Sequence, residues 1–290
     1  MKKILNRIGI LVLLSGLMAC EKPVIDTKQS HKKGYEVRFH IGDIAQKYAN
    51  GKARAVVGVG EVCSCINAAI YNHGTKVTGI NQKKGEEGFG NLKVNLPEGE
   101  YSLVIVAHSG MKNASTAHAD KISFSGKITD TFLYNGTFTV TEDMQLGVTL
   151  TRCVAKVEFN FDKAIPEKVT HLRFNYTGGS SSLDAIQGFG CVNSRQTEVL
   201  NVPEEAHHGP SSYGIFTFPK AQEGTLKVKL TALDASNNVV AEHTFNDVRI
   251  VMNGINRING LYFTKPSEPE ARGINIKVDD SWATIFDSNL

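Results

Sequence analysis

The stretch Tyr35-Glu-Val-Arg-Phe-His-Ile41 decides the fold, because apolar and polar side chains alternate strictly along it. A period of two places Tyr35, Val37, Phe39 and Ile41 on one face of a β-strand. No segment of the chain has a sustained helical period. The sequence therefore predicts an all-β protein whose folded part begins at this strand.

Further short strands follow as far as residue 150, separated by turns rich in Gly, Asn and Pro. The predicted strands cover residues 55–59, 66–71, 92–96, 101–107, 121–125, 132–140 and 145–150, with one helical turn at 44–48. The two strands that flank Pro97-Glu-Gly99 are predicted to pair as a hairpin. Strands of this length and spacing are typical of an antiparallel β-sandwich.

A second set of strands starts without a linker at Arg152-Cys-Val-Ala-Lys-Val-Glu-Phe-Asn-Phe161. Cys153, Ala155, Val157, Phe159 and Phe161 alternate there and are predicted to face a core. Further strands are predicted at residues 170–176, 225–233, 239–245, 249–252 and 257–263, with a hairpin across 234–238 and a long surface loop over 178–210. We predict two domains in tandem, residues 34–150 and 151–263.

Residues 1–19 have the pattern of a bacterial lipoprotein signal peptide. Lys2, Lys3 and Arg7 precede an apolar run at residues 8–14 that is too short to span a bilayer, and small residues lead to Cys20. We predict that Cys20 is lipidated and becomes the first residue of the mature chain, anchored to a membrane by two or three acyl chains. The alternative is an ordinary secretory signal that happens to end at this cysteine.

The folded part is predicted to lie between two polar segments. Residues 20–33 form a lipidated tether without apolar periodicity, and residues 264–290 begin with the stiff spacer Lys265-Pro-Ser-Glu-Pro-Glu-Ala271. Ile274, Ile276 and Val278 then alternate with polar residues, which predicts one more amphipathic strand. This strand either completes its own domain or pairs with another subunit.

Charge and cysteine content limit the partners. The chain has 32 Lys and Arg and 29 Asp and Glu, and removal of residues 1–19 balances the two groups, so nucleic acid is not expected to bind. Of the five cysteines, Cys153 and Cys191 are the better candidates for a disulfide, whereas Cys63 and Cys65 are poorly placed to bridge each other. No metal site is expected at the Cys63-x-Cys65 pair, because the sequence brings no further ligands near it.

Several of these segments resemble one known family. The Cys20 lipobox, the stretch 150–159, the sequence Asn256-Arg-Ile-Asn-Gly-Leu-Tyr-Phe263 and the terminal Ile274-Asn-Ile-Lys-Val-Asp-Asp-Ser-Trp282 are similar to the fimbrillin superfamily of type V fimbriae, in particular to its anchor subunits. The resemblance implies two tandem transthyretin-like antiparallel β-sandwich domains on an outer-membrane lipoprotein. It also implies assembly with fimbrial subunits by strand exchange, in support of adhesion.

In that family, a stalk subunit is cut after an Arg or Lys beyond its first strand, and the C-terminal strand of another subunit fills the groove that opens. The resemblance makes Arg54, or Lys52, the possible cleavage site, and Ile274, Ile276 and Val278 the side chains of the donor strand. An uncut subunit keeps its lipid and acts as an anchor, the function that we favour. A cut subunit would be part of the stalk or tip.

Catalysis is not expected, because the sequence contains no nucleophile, metal or phosphate-binding motif. No cofactor is predicted. His207 and His208 are interpreted as part of a solvated loop, and Trp282 as a core residue instead of a sugar platform. A surface glycan-binding lipoprotein of an uptake system is the other alternative, and loss of the C-terminal strand would leave such a protein active.

Overall fold

The computed structural model describes residues 34–45, 56–264 and 274–278, all within one compact unit. The predicted signal peptide, the tether, Cys20, Lys52, Arg54 and Trp282 lie outside the described residues. Nearly every element is a β-strand, which confirms the all-β prediction. Among the described segments, no helix has the length and apolarity needed to cross a bilayer.

Nine strands form the first half of the described chain, with a helical turn at Val59–Val62. They are β1 Tyr35–Ala45, β2 Val56–Gly58, β3 Cys65–Asn72, β4 Thr75–Lys83, β5 Asn91–Leu96, β6 Gly99–His108, β7 Ile122–Ser123, β8 Thr131–Val140 and β9 Met144–Arg152. All but β7 belong to one sheet, in the order β2-β1-β9-β8-β6-β3-β4, with β5 also paired to β1.

This sheet closes over its own core. Strands β8 and β9 are paired only at Phe132 and Leu133, and the sheet folds back on itself at this point. Side chains of β1, β5 and β9 then meet those of β3, β6 and β8 in one apolar cluster. Phe39 of β1 packs edge-on against Phe138 of β8, with the ring centroids 5.3 Å apart. The first half is therefore a β-sandwich.

Ten strands form the second half, with a 3-10 turn at Glu204–His207. They are β10 Ala155–Phe161, β11 His171–Thr177, β12 Ser182–Asp184, β13 Phe189–Gly190, β14 Arg195–Asn201, β15 Ser211–Thr217, β16 Glu223–Leu233, β17 Val239–Val251, β18 Ile255–Thr264 and β19 Asn275–Val278. Two sheets, β15-β10-β18-β19 and β14-β11-β16-β17, pack face to face. Phe159 lies between them, with ring centroids 4.9 Å from Phe174 and 5.4 Å from Phe245.

A third apolar cluster joins the two halves. It includes Val106 and Ile122 from the first half and Val154, Leu183 and Phe218 from the second. The small sheet β13-β12-β7 crosses the same junction, with Leu183 paired to Ile122. The predicted inward face is confirmed for Ala155, Val157, Phe159 and Phe161 of β10, whereas Cys153, which precedes β10, packs in the junction cluster. The domain boundary after residue 150 stays a prediction.

An ion pair reinforces the junction. The Arg152 guanidinium donates to both oxygens of Asp130, with N–O distances of 2.7 and 3.0 Å, and it lies 4.8 Å from the centroid of the Phe132 ring. Its third contact is the side-chain oxygen of Asn253 at 3.2 Å, in the turn before β18. Because Asp130 precedes β8 and Asn253 belongs to the second half, Arg152 connects both halves.

Two predictions about connections are wrong. The strands before and after Pro97-Glu-Gly99 do not form a hairpin: β5 pairs with β1, whereas β6 pairs with β3 and β8. Both strands bury their apolar faces in the same core, but from opposite layers. Residues 178–210 are not a long surface loop, because they include β12, β13 and β14 as well as buried Ser180, Leu183 and Glu198.

Candidate strand-exchange site

The C-terminal strand β19 forms the outer edge of its own sandwich. It pairs antiparallel with the end of β18, with Ile276 opposite Phe263. The Ile276 side chain is only 2% exposed and lies in the core between the two sheets. Ile274 packs against the same core, and its N–H donates to the carbonyl of Val240 on β17 at an N–O distance of 3.2 Å. The tail is therefore attached to both sheets.

The predicted apolar face of this strand is the face that enters the core. Ile274 and Ile276 contact the core, whereas Asn275 and Lys277, which alternate with them, are exposed. The side chain of Val278 lies outside the described residues. Of the two interpretations of the tail, the structure shows it seated in its own sandwich. Its transfer to another subunit stays a prediction.

The attachment of β19 is limited. Four register pairs hold it on one side, and its other side is the edge of the sheet. Burial of Ile276 contributes roughly 1.5–3 kcal/mol. Residues 265–273 join β19 to β18, and nine residues span about 30 Å when fully extended. A partner subunit within about 30 Å could pair with β19 over more than four residues. Such pairing would offset the loss of the contacts that β19 makes in its own sandwich.

The first strand, β1, is held far more firmly. It pairs antiparallel with β5 on one side and parallel with β9 on the other. Val37, Phe39, Ile41 and Ile44 are each at most 3% exposed in the N-terminal core. Removal of β1 would open a groove with hydrogen-bonding strands on both walls. The sequence did not identify β5 and β9 as these walls, since no local signal marks a partner so distant along the chain.

The predicted Cys153–Cys191 disulfide is absent, and all four described cysteines are free. The Cys153 thiol is buried in the junction cluster and lies 3.5 Å from the Thr131 carbonyl oxygen, whereas Cys191 is exposed after β13. Burial raises the pKa of the Cys153 thiol far above its usual range. Cys153 and Cys191 do not form a disulfide, because the Cys153 side chain is buried and the Cys191 side chain is exposed.

The histidine pair lies in the 3-10 turn before β15. His207 Nδ1 lies 2.9 Å from the Ile165 carbonyl oxygen, and the exposed His208 contacts Glu204 at 3.1 Å. Over the described ranges, no three His, Cys, Asp or Glu side chains converge as metal ligands. We therefore assign this turn no metal-binding role.

A buried carboxyl group lies near the junction, where the sequence predicted a surface loop. Glu198 on β14 is 5% exposed, and its Oε1 accepts a hydrogen bond from the Tyr176 hydroxyl at 2.6 Å. Gln196 also donates to this hydroxyl, at 3.2 Å. Burial raises the pKa of Glu198 above its model-compound value of 4.5, while Tyr176 and, more weakly, Lys127 oppose the shift.

This raised pKa gives a prediction for stability. The folded protein holds the Glu198 proton at a pH where the unfolded chain has lost it, so stability falls as pH rises from about 4.5 through the folded pKa. Glu198→Gln keeps an acceptor for Tyr176 and removes the buried charge, and it should stabilise the protein by about 1 kcal/mol at neutral pH. Urea unfolding at several pH values measures the effect.

The matched control is Glu205→Gln, because Glu205 is exposed. We expect it to leave stability and its pH dependence unchanged. An equal or lower stability of Glu198→Gln at neutral pH would contradict a buried charge at this position.

The described chain thus consists of two β-sandwiches that share a junction core and end in an edge strand. The chain belongs to the family described as "Mfa2: Fimbrillin-A associated anchor proteins Mfa1 and Mfa2", whose family model matches residues 59–287. This membership supports a fimbrial role at the cell surface. No curated protein matches the chain in sequence.

Two of the solved structures that are similar to this chain come from Bacteroides and Porphyromonas. A Bacteroides ovatus protein described as "a putative adhesin" is 13% identical, with a TM-score of 0.49, over 94% of this chain and 99% of the other. The fimbrial anchor protein Mfa2 from Porphyromonas gingivalis is 8% identical, with a TM-score of 0.44, over 84% of this chain and 95% of the other.

Proposed function

We propose that the protein is an outer-membrane lipoprotein that anchors a fimbrium to the bacterial surface. Lipid on Cys20 holds one end on the membrane, and β19 leaves its own sandwich to fill a groove in a neighbouring fimbrial subunit. The protein itself performs no catalysis and needs no cofactor. The tether of residues 20–33 separates the lipid from the first sandwich.

The double pairing of β1 is the observation that carries the anchor function. As long as the chain is uncut between β1 and β2, β1 fills the groove between β5 and β9. A subunit whose groove is filled from within cannot accept a donor strand there, so it ends a polymer. The same subunit can still donate its own C-terminal strand. These two properties together support an anchor at the end of the fimbrium.

The alternating face of β19 supports strand donation. Main-chain hydrogen bonds give such an exchange its strength, and alternate apolar side chains set its register. Ile274 and Ile276 have the same spacing as the inward residues of β1, such as Val37 and Phe39. A neighbouring subunit that lacks its first strand would accept this pattern in place of its own.

A disulfide between β18 and β19 tests this proposal. Tyr262 and Lys277 are register partners on the outward face of the sheet, so Tyr262→Cys with Lys277→Cys should lock β19 in its own sandwich. Cys191→Ser removes the exposed native thiol from the background, and the other described cysteines are buried. We expect the oxidised protein to fold normally but to capture fimbrial subunits at least about tenfold less well.

Reduction of the disulfide should restore capture in the same sample. Each single-cysteine variant serves as a control. Tyr262→Cys is the more important one, because this substitution also removes the contact between the Lys163 ammonium and the Tyr262 ring, which are 4.8 Å apart. Full capture by the oxidised, locked protein would rule out donation of β19.

Cleavage after Arg54 would make the protein a stalk or tip subunit instead. The N-terminal residue of the mature protein on cells distinguishes the two, because acylated Cys20 means an anchor and Ala55 means a cut subunit. For the glycan-binding alternative, the structure offers a cleft of about 410 Å³ lined by Tyr71, His73, Glu100, Tyr101 and Phe138, among others. Tyr71 and Tyr101 are buried, which leaves little aromatic surface for sugar stacking.

A further inference from the structure

The open end of the β3–β4 hairpin brings a thiol and an amine together. Cys65 and Lys83 are the last register partners of this hairpin, opposite the turn at His73-Gly74. The Lys83 ammonium nitrogen lies 3.0 Å from the Cys65 sulfur. It also donates to the Met111 carbonyl oxygen at 2.6 Å, and the Cys65 thiol donates to the Gly110 carbonyl oxygen at 2.8 Å. The loop after β6 therefore holds both groups in place.

The surroundings isolate this pair from other reaction partners. Cys65 is completely buried, so a bulky thiol cannot reach its sulfur, and none of the described cysteines forms a disulfide with it. In the described chain, the polar contacts of the Lys83 ammonium are the sulfur and a neutral carbonyl, without a carboxylate. The amine is thus the group that any oxidised form of Cys65 meets first.

We propose that Cys65 and Lys83 become covalently joined through a single oxygen atom, as a sulfur–oxygen–nitrogen bridge. Dioxygen, which is small enough to enter a buried site, supplies the oxygen and is the oxidant. The thiol loses one proton and the ammonium loses two, while S–O and O–N bonds form and the O–O bond breaks. The second oxygen atom leaves as water with two of these protons, and the third is released.

The electrons in this step balance. Sulfur and nitrogen each lose two electrons, and these four reduce the two atoms of dioxygen. The bridge lies one step up the oxidation ladder of cysteine and, like other S–O species at that level, is opened by thiol reductants. It forms only in an oxidising compartment, and its geometry does not depend on the proposed fimbrial role.

The bridge would fix an edge strand. Among the described strands, β3 is the sole partner of β4, and most side chains of β4 are exposed. A covalent link at the open end encloses residues 65–83 in a loop and limits the freedom of the unfolded chain. The hairpin would then resist peeling from the sheet.

Mass spectrometry of the full-length protein, purified in air from cells, tests the inference. We expect a species about 14 Da heavier than the reduced chain, from one added oxygen and two lost hydrogens. Digestion should give one peptide pair that joins Cys65 to Lys83, with no tryptic cleavage at Lys83. Treatment of the unfolded protein with a thiol reductant should remove both signals, and protein refolded in the reductant should have a Tm lower by about 5 °C.

Three variants make the test specific. Cys65→Ser and Lys83→Arg should both abolish the mass increase, and Lys83→Arg keeps the positive charge beside the sulfur. Lys84→Arg changes the neighbouring exposed lysine and should leave the bridge intact. Complete alkylation of Cys65 after unfolding without reductant would overturn the inference. Oxygen found on Cys65 alone, with Lys83 unmodified, would also overturn it.

Discussion

In cells that express Cys20→Ala, we expect the protein to leave the outer-membrane fraction and to lose its fatty-acid label completely. The reason lies in the anchor, since each buried methylene contributes about 0.8 kcal/mol and only two or more acyl chains together hold a protein on a membrane. Outer-membrane retention should therefore fall at least about tenfold.

The measurement needs a control for processing, because an uncleaved signal segment would itself hold the protein in the inner membrane. A second variant replaces residues 1–19 with an ordinary secretory signal and carries Cys20→Ala. Separation of inner and outer membranes, combined with metabolic labelling by a fatty acid, distinguishes release from failed export.

Cys191→Ala is the matched cysteine control, because Cys191 is exposed in the folded protein. We expect it to stay in the outer membrane with its label. Retention of the Cys20→Ala protein there, with an intact fatty-acid label, would contradict lipidation at Cys20.

The strands that the sequence predicted well have alternating apolar residues. In β10, and in β1 from Val37 to Ile41, every second side chain is apolar and buried, so a period of two is visible without knowledge of the partners. Strand β4 was missed because it is an edge strand with mostly exposed side chains, and the pattern that marks a buried face is absent. Strand β15 was missed because Ser211 and Ser212 precede its buried Tyr213 and Gly214 follows it, so the apolar alternation is short.

Pairing between strands was harder to predict than the strands themselves. The parallel contact of β1 with β9 joins residues such as Phe39 and Leu146, and no turn between neighbouring strands specifies it. Local turn chemistry predicted a hairpin at Pro97-Glu-Gly99, but burial of both strands in opposite layers of one core determines the connection. Buried Glu198 could not be predicted, because a lone carboxylate in a polar stretch usually indicates solvent exposure.

At the candidate strand-exchange site, too, the sequence predicted the strand but not its partner. The sequence predicted which face of the C-terminal strand is apolar, because Ile274 and Ile276 follow the period of a strand. It left open which sandwich receives that face, since a strand of one subunit and a strand of its neighbour satisfy the same pattern. In the structure, the C-terminal strand lies at an edge of its own sandwich, where four register pairs join it to β18.

Removal of β1 should unfold the N-terminal sandwich, whereas removal of β19 should not. Loss of β1 takes away four fully buried apolar side chains, about 6–12 kcal/mol at 1.5–3 kcal/mol each. This is comparable to the whole stability of a domain, roughly 5–15 kcal/mol. A chain of residues 55–290, the product of a cut after Arg54, should therefore lose cooperative unfolding and expose apolar surface to a dye.

Two comparisons sharpen this prediction. A chain of residues 34–290 keeps both strands and is the reference. A chain of residues 34–272 keeps β1 but lacks β19 and the residues that flank it, so it should keep its fold with a Tm lower by several degrees, about 2–4 °C per kcal/mol for a protein of this size. The asymmetry follows from the pairing, because β1 has strands on both sides and β19 has one.

A peptide of residues 34–45, added to the 55–290 chain, should restore its cooperative unfolding, because it refills the groove between β5 and β9. The same peptide with Val37→Asp and Phe39→Asp should fail, since these side chains enter the core. If the 55–290 chain were as stable as the 34–290 chain, the stability of the N-terminal sandwich would not depend on β1 filling the groove between β5 and β9. If the 34–272 chain failed to fold, β19 would be an integral strand, and an anchor could not donate it without unfolding its own second sandwich.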